Sequence, residues 1–449
     1  MPSESDLAVA TRRSIKKLFP MGSIMSSGMD NPITLHSVNQ DVFARIWSLI
    51  AETMVVQVEL SRSTKEEIAS LVSERNSCPV CIAAHNFMGI TAIVVDQNAQ
   101  KNSKNVDTKK MNDRQKQHDQ AIQYAELLLS EMKAQKRMCG LQPTPTKKTP
   151  KRSSSSGSVG SGKSIGSGSD GSSKKKRKRK SRRFTHLNAT AKAEIALVVM
   201  LFDHMNRVVS VIMGEEMSTA MFNVPRSLAR AMEAPSAVKA MSRLMAPVFS
   251  GTFKVKHQPG VTLSLFPDEQ SAGSANASLL PENIQGVVLA GLERANAVGR
   301  LVEWVTTFEK EKLIKTDIMS RHLIRFLDKK VDLPHGGVNF ASPEEVVEWM
   351  EGKMKTEVTT EIMGDESGDE SIYGTERSIA MVLLLSSFAP QTTYGSSHWE
   401  DLVERVGVSM ARSIVIWWSL RTTFKECKGL DDKIDQSKMV ALLTGLTPQ

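Results

Sequence analysis

Cysteine is scarce in this chain, with four thiols among 449 residues. That is too few for the disulfide framework of small secreted domains, and two of the four share one redox-type motif, so a reducing, intracellular setting is expected. No secretory signal opens the sequence. Met1 to Ser27 scatters Arg12, Arg13, Lys16 and Lys17 among short apolar pieces beside Glu4 and Asp6, and residues 1–28 read as a disordered tail. Long apolar runs are missing too. The densest, Ile195-Ala-Leu-Val-Val-Met-Leu-Phe202, has eight residues, against about 20 for a bilayer span, so it reads as a buried helix and no transmembrane segment is expected. Net charge is absent outside a single basic cluster. Lys174 to Arg183 holds nine positive charges, as many as the whole net charge of +9, which excludes a strongly basic folded face of the kind that grips nucleic acid.

What is present is 40% hydrophobic with 5% aromatic, ordinary for a soluble helical protein long enough for two or three well-filled cores. Leu141 to Ser173 is built of Ser, Gly, Pro, Thr and Lys and buries too little to order itself. Inside it, Gly157 to Ser164 matches a phosphate-binding loop letter by letter, and Gly166 to Gly171 matches a dinucleotide fingerprint. Both motifs need a strand before and an apolar helix after, and neither flank exists here. The basic cluster that follows resembles a nuclear localisation signal and would recruit an importin; a nucleus or cytoplasm address is expected. Phosphate binding and a merely solvating linker use the same residues.

Apolar residues recur at helical intervals over 33–59, 64–76, 79–95, 113–138, 191–214, 279–308, 312–327, 343–356, 377–387 and 399–425, with an acidic loop at 361–370. These predict an all-α protein. Residues 29–250 form a thiol-bearing helical domain interrupted by the basic insert 139–183, residues 251–278 a Gly/Pro/Ser-rich linker, and residues 279–449 a second, thiol-poor helical repeat.

Ser73-Glu-Arg-Asn-Ser-Cys-Pro-Val-Cys-Ile-Ala-Ala-His85 carries the chemistry. With Pro79 in a first helical turn, Cys81 and His85 stand at i and i+4 on one face, with Cys78 at the helix start. Only a thiolate is nucleophilic, so the thiol must be assisted; a helix N-terminus and an adjacent imidazole both serve. A second thiol three residues away condenses with a sulfenic acid formed at the first, closing a disulfide. Cys-x-x-Cys with His also suits half of a zinc site, but Cys139 and Cys427 stand alone and supply no second half. Glu66 reads either as a proton relay or as the last member of a Ser63-x-x-Glu66 capping box.

The run from Glu66 to His85, with Glu twelve positions before the first Cys and His four after the second, resembles the active-site motif of the alkyl hydroperoxidase D and carboxymuconolactone decarboxylase superfamily. Val80 stands where that family often has Tyr or His. The resemblance implies a peroxidatic Cys81, a resolving Cys78, and a relay through His85 and Glu66. It also implies a pocket lined by His204 and Asn206, and a helical homo-oligomer that uses no metal or cofactor. Arg377 to Pro390 and Ala411 to Trp418 resemble a degenerate second copy of the same fold. The implied activity is peroxidase: a hydroperoxide is reduced and the enzyme is restored by a dithiol reductant protein. The alternatives are a decarboxylase-type proton-transfer enzyme using His85 and Glu66 alone, and a non-enzymatic nuclear interaction protein.

Overall fold

The fold is that of a computed structural model, which describes residues 4–18, 32–76, 78–101, 108–136, 184–212, 282–331, 370–388 and 396–428, with scattered positions between 240 and 266 and at 348. It is all-α among these residues. The insert 139–183 with its basic cluster and phosphate-loop matches, the acidic loop up to 369, and all of the helix expected over 343–356 except position 348 lie outside them.

Among the described residues eleven helices have defined bounds. They are α1 Glu4–Leu18, α2 Gln40–Ile50, α3 Arg62–Arg75, α4 Pro79–Lys101, α5 Thr108–Lys136 and α6 Ala189–Ile212, followed by α7 Glu282–Phe308, α8 Arg321–Val331, α9 Glu370–Phe388, α10 Ser397–Val406 and α11 Val408–Lys428. A 3-10 turn, Thr34–Val38, precedes α2, and π turns follow α2 (Ala51–Val55) and α7 (Glu309–Ile314).

Three expectations need correction. The supposedly disordered tail is helical over Glu4–Leu18 and packs on α2. Thr11, Ile15 and Leu18 are buried, and Trp47 Nε1 donates to Ser14 Oγ at 2.9 Å. The single helix expected over 312–327 is broken after a π turn, where Asp317 takes φ 53° before α8 begins. Asp tolerates that left-handed conformation better than most residues. The helix expected over 399–425 is two. Gly407, at φ 78°, ends α10, whose start is capped by Ser396 accepting from the Trp399 N–H.

Helix α6 is the axis of the molecule. It runs 24 residues, well beyond the eight-residue apolar run, and is long and apolar enough to cross a membrane; 89% of its most apolar window is buried inside the protein. Apolar residues on every side fit it for burial. It packs against α3, α5 and α11, and each fully buried Leu, Ile or Val contributes roughly 1.5–3 kcal/mol. One continuous apolar core joins α3, α4 and α6 to α7, α8, α9 and α11, and Cys78 and Cys81 belong to it. Around 251–278, Leu265 packs with Phe43 and Trp47, and Val56 pairs with His257 across an isolated bridge.

The foundation of the site is the C-terminal end of α2, where the π turn leaves carbonyls without helical partners. Three buried cations take them. Arg62 Nη1 donates to the Met54 carbonyl at 2.6 Å, Lys65 Nζ to that of Val56 at 2.7 Å, and Arg294 of α7 to that of Glu52 through Nη2 at 2.6 Å and Nε at 3.1 Å. Glu194 of α6 balances two of them, accepting from Lys65 at 3.1 Å and Arg294 at 3.0 Å and from the Glu59 and Leu60 N–H groups. Burial opposes ionisation of Glu194, but the two cations and the backbone donors outweigh it, and its carboxyl lies below the usual range. Burial also pushes Lys65 down to about 8, although Glu194 pulls the other way. Arg62 is left for the second carboxylate, Glu66.

Candidate thiol site

Helices α3 and α4 form a hairpin whose connection is Asn76 to Cys78. Asn76 ends α3 at φ −90°, ψ 1°, and its N–H bonds back to the Val72 carbonyl. The Cys78 N–H returns to the Ser73 carbonyl, and the Cys78 carbonyl accepts from Ile82, which opens α4. Pro79 then occupies the first helical position, where a missing N–H costs nothing and φ is preset. This puts Cys78 at the cap and Cys81 in the first turn. The two sulfurs lie 2.6 Å apart as buried free thiols, about half an ångström from bonding distance.

One turn along α4, His85 Nδ1 is 2.7 Å from Glu66 Oε2. Glu66 Oε1 accepts from Arg62 Nε at 2.6 Å. Gly89 faces Glu66, and a Cβ there would stand in van der Waals contact, 3.4 Å from the Glu66 Cβ. Phe202 of α6 closes the other side of the imidazole, edge-on at a centroid distance of 4.3 Å. Burial raises the cost of a charged Glu66, yet the Arg62 guanidinium and the His85 bond more than offset it and hold its carboxyl below the usual range. An ionised Glu66 can only accept, so His85 Nδ1 carries the proton and Nε2 is the basic nitrogen.

Glu66 is therefore not a cap. The helix starts earlier, with Ser61 Oγ accepting from the Thr64 N–H. Glu66 lies a full turn inside, wholly buried. The Cys81 thiol also differs from expectation. Burial pushes it well up, the neighbouring Cys78 thiol adds to the rise, and Cys81's own backbone N–H offsets only part. A helix start alone does not make this thiol a thiolate; a base must.

The two α6 residues expected to line the pocket diverge. Phe202 and Asn206 are four apart and share a face, whereas His204, two residues from each, points to the opposite side. Asn206 Oδ1 accepts from Ser73 Oγ at 3.2 Å, above the carbonyl that holds Cys78, and its buried Nδ2 has no hydrogen-bond partner among the described residues. His204 instead bonds through Nε2 to His36 Nε2 at 3.0 Å and through Nδ1 to Ser419 Oγ at 2.9 Å. Burial pushes His36 down to about 4, against the pull of the Ile33 and Pro32 carbonyls, and pushes His204 lower than usual with help from His36.

Sequence reasoning missed Arg62, although its i, i+4 spacing to Glu66 was a visible signal. It also missed His36, Lys65, Glu194 and Arg294, whose partners lie far away in the chain. Among the described residues no group of three or more His, Cys, Asp and Glu side chains is placed to hold a metal ion. Comparison with protein-family models, with curated proteins and with solved structures gives no match.

Proposed function

We propose that the protein is a thiol-dependent peroxidase, a dithiol oxidoreductase that reduces hydroperoxides. The observation that carries this reading is the Cys78–Cys81 sulfur pair at 2.6 Å, one helical turn from a histidine whose tautomer is fixed by a buried carboxylate. On this reading the two halves are related alkyl hydroperoxidase D-like lobes, and only the first carries the paired thiols, Cys427 of the second standing alone.

Cys81 loses its proton to His85 Nε2, and the thiolate attacks the distal oxygen of the hydroperoxide. The O–O bond breaks, the alkoxide takes the proton back from His85 and leaves as an alcohol, and Cys81 becomes a sulfenic acid. The sulfur loses two electrons and the peroxide gains them. Cys78 then attacks the Cys81 sulfur; its proton leaves with the hydroxyl as water, and a disulfide remains. A dithiol protein returns both thiols by exchange and is itself oxidised. Asn206 Nδ2 offers a buried donor for an oxygen of the substrate, on the face of α6 that Phe202 shares.

Two thiols distinguish this reading from proton transfer by His85 and Glu66, which would leave the sulfurs idle. The basic segment Lys174 to Arg183 is proposed as an importin-binding address. Counting thiols before and after stoichiometric peroxide tests the chemistry. A loss of two, recovered as one Cys78–Cys81 disulfide, is expected; an unchanged count rules the reading out.

A further inference from the structure

Helix α11 and the thiol loop share a carboxylate, that of Asp203. Asp203 of α6 is 1% exposed. Its Oδ1 accepts from Asn76 Nδ2 at 3.1 Å, and its Oδ2 accepts from Thr423 Oγ1 at 3.0 Å and from Arg207 Nε at 3.0 Å. Asn76 is the residue that ends α3, two before Cys78. Its backbone is fixed by α3, but its side chain is fixed by α6. Thr423 lies one turn beyond Ser419, which bonds His204, the neighbour of Asp203. Helix α11 thus grips two successive residues of α6 with two side chains a turn apart, which sets its register.

A buried carboxylate needs its donors wherever it sits, and Arg207, on the same helix, already supplies a charged one. Thr423 adds a neutral donor from a segment 220 residues away. What that bond does beyond satisfying Asp203 is to orient a rigid group whose other oxygen holds the thiol loop. Removing the Thr423 hydroxyl takes away the donor that opposes Arg207 on Oδ2, so the carboxylate is pulled towards Arg207 and its bond to Asn76 weakens.

We infer that Asp203 is a positioning residue through which the seat of α11, by way of Thr423 and Asn76, holds the Cys78 loop so that Cys78 and Cys81 stay side by side. This rests on the thiol redox reading above and adds a control to it: any partner or modification that lifts α11 loosens the thiol pair. Holding two groups adjacent raises their effective concentration towards each other, so a slack loop disfavours the disulfide relative to the dithiol.

The test is the thiol–disulfide equilibrium of the full chain in glutathione buffers, with thermal melts alongside. Thr423→Val is expected to shift the equilibrium about 3–10-fold towards the dithiol, and Thr423→Ser to restore it, since Ser keeps the hydroxyl. Asn76→Ala should shift it comparably, and the double variant should do no more than either alone, because both act through one carboxylate. A structural role alone would lower the melting temperature and leave the equilibrium constant in place; that result, or additive effects, overturns the inference. A wild-type protein that forms no Cys78–Cys81 disulfide sinks the redox reading instead. The clamp is then read from the alkylation rate of the two thiols by iodoacetamide. Faster labelling in Thr423→Val upholds it, and an unchanged rate overturns it.

Discussion

Glu66 receives His85 and Arg62 on different oxygens, at 2.7 and 2.6 Å, while wholly buried. A carboxylate held in this way is an orienting group, and His85→Ala should slow peroxide attack by about 10²–10⁴-fold, the usual worth of a general base. Glu66→Gln should also lower the rate, because an amide that presents its N–H₂ to Nδ1 favours the wrong tautomer. It should cost stability as well, since it leaves Arg62 buried without its counter-charge. Stopped-flow peroxide consumption beside urea melts separates the two effects; a full rate with lost stability would reduce Glu66 to a structural ion-pair partner.

The thiols should divide the labour. Cys81→Ser is expected to abolish even the first turnover, whereas Cys78→Ser should consume about one equivalent of peroxide and stop as a sulfenic acid. An active Cys81→Ser protein would reverse the assignment.

Because burial and Cys78 push the Cys81 thiol up, the first-turnover rate should keep climbing through neutral pH into the alkaline range. A thiol activated by a helix start alone would instead reach its plateau below neutral pH. A plateau at or below pH 7 in wild-type stopped-flow traces contradicts the burial effect.

His36 and His204 bear on acid stability. Unfolded, each takes up a proton near pH 6.5; folded, His36 does so only near 4 and His204 lower than usual. Between these values the unfolded chain binds more protons, so stability falls as pH drops from 6.5 towards 4, by on the order of 3 kcal/mol for His36. Glu66 and Glu194, held below the carboxylate range, contribute stability that is lost only at lower pH. His118, raised chiefly by its bond to Glu67, acts in the opposite sense, losing its contribution as pH rises past 6.5. Urea melts from pH 7 to 4.5 should show a shallower fall for His36→Asn than for wild type, and equal slopes would refute the assignment.

Deleting Lys174 to Arg183 should abolish nuclear accumulation and leave peroxide turnover intact. Unchanged localisation of a fluorescent fusion would dismiss the address, and a loss of turnover would tie the segment to the site.

The α3–α4 hairpin was legible because its chemistry is local. Cys81, His85 and the Pro79 start follow from helical spacing, and Arg62 was readable by the same rule. Helix α1 was readable too, from Leu7, Thr11, Ile15 and Leu18, but its apolar pieces are short and stand beside Glu4 and Asp6, so that the stretch read as a disordered tail. Gly407 marked a break that the apolar pattern on both sides disguised. The other partners carried no such signal. Arg294 meets Glu52 across 242 residues and Thr423 meets Asp203 across 220, and nothing near Asp203 or His204 tells one face of α6 from the other until the neighbouring helices are in place.

The cation cap on α2 has a consequence for synthesis. Arg294 follows Glu194 by 100 residues, which a ribosome takes roughly 5–20 s to add. During that interval the Glu52 carbonyl has no guanidinium, Glu194 has Lys65 as its one cation of the two, and Thr423 is not yet synthesised. The carboxylate that holds the thiol loop therefore gains its α11 donor only when translation is nearly complete, and a nascent chain stalled before α7 carries the Asn76–Asp203 bond without the Thr423 hydroxyl behind it.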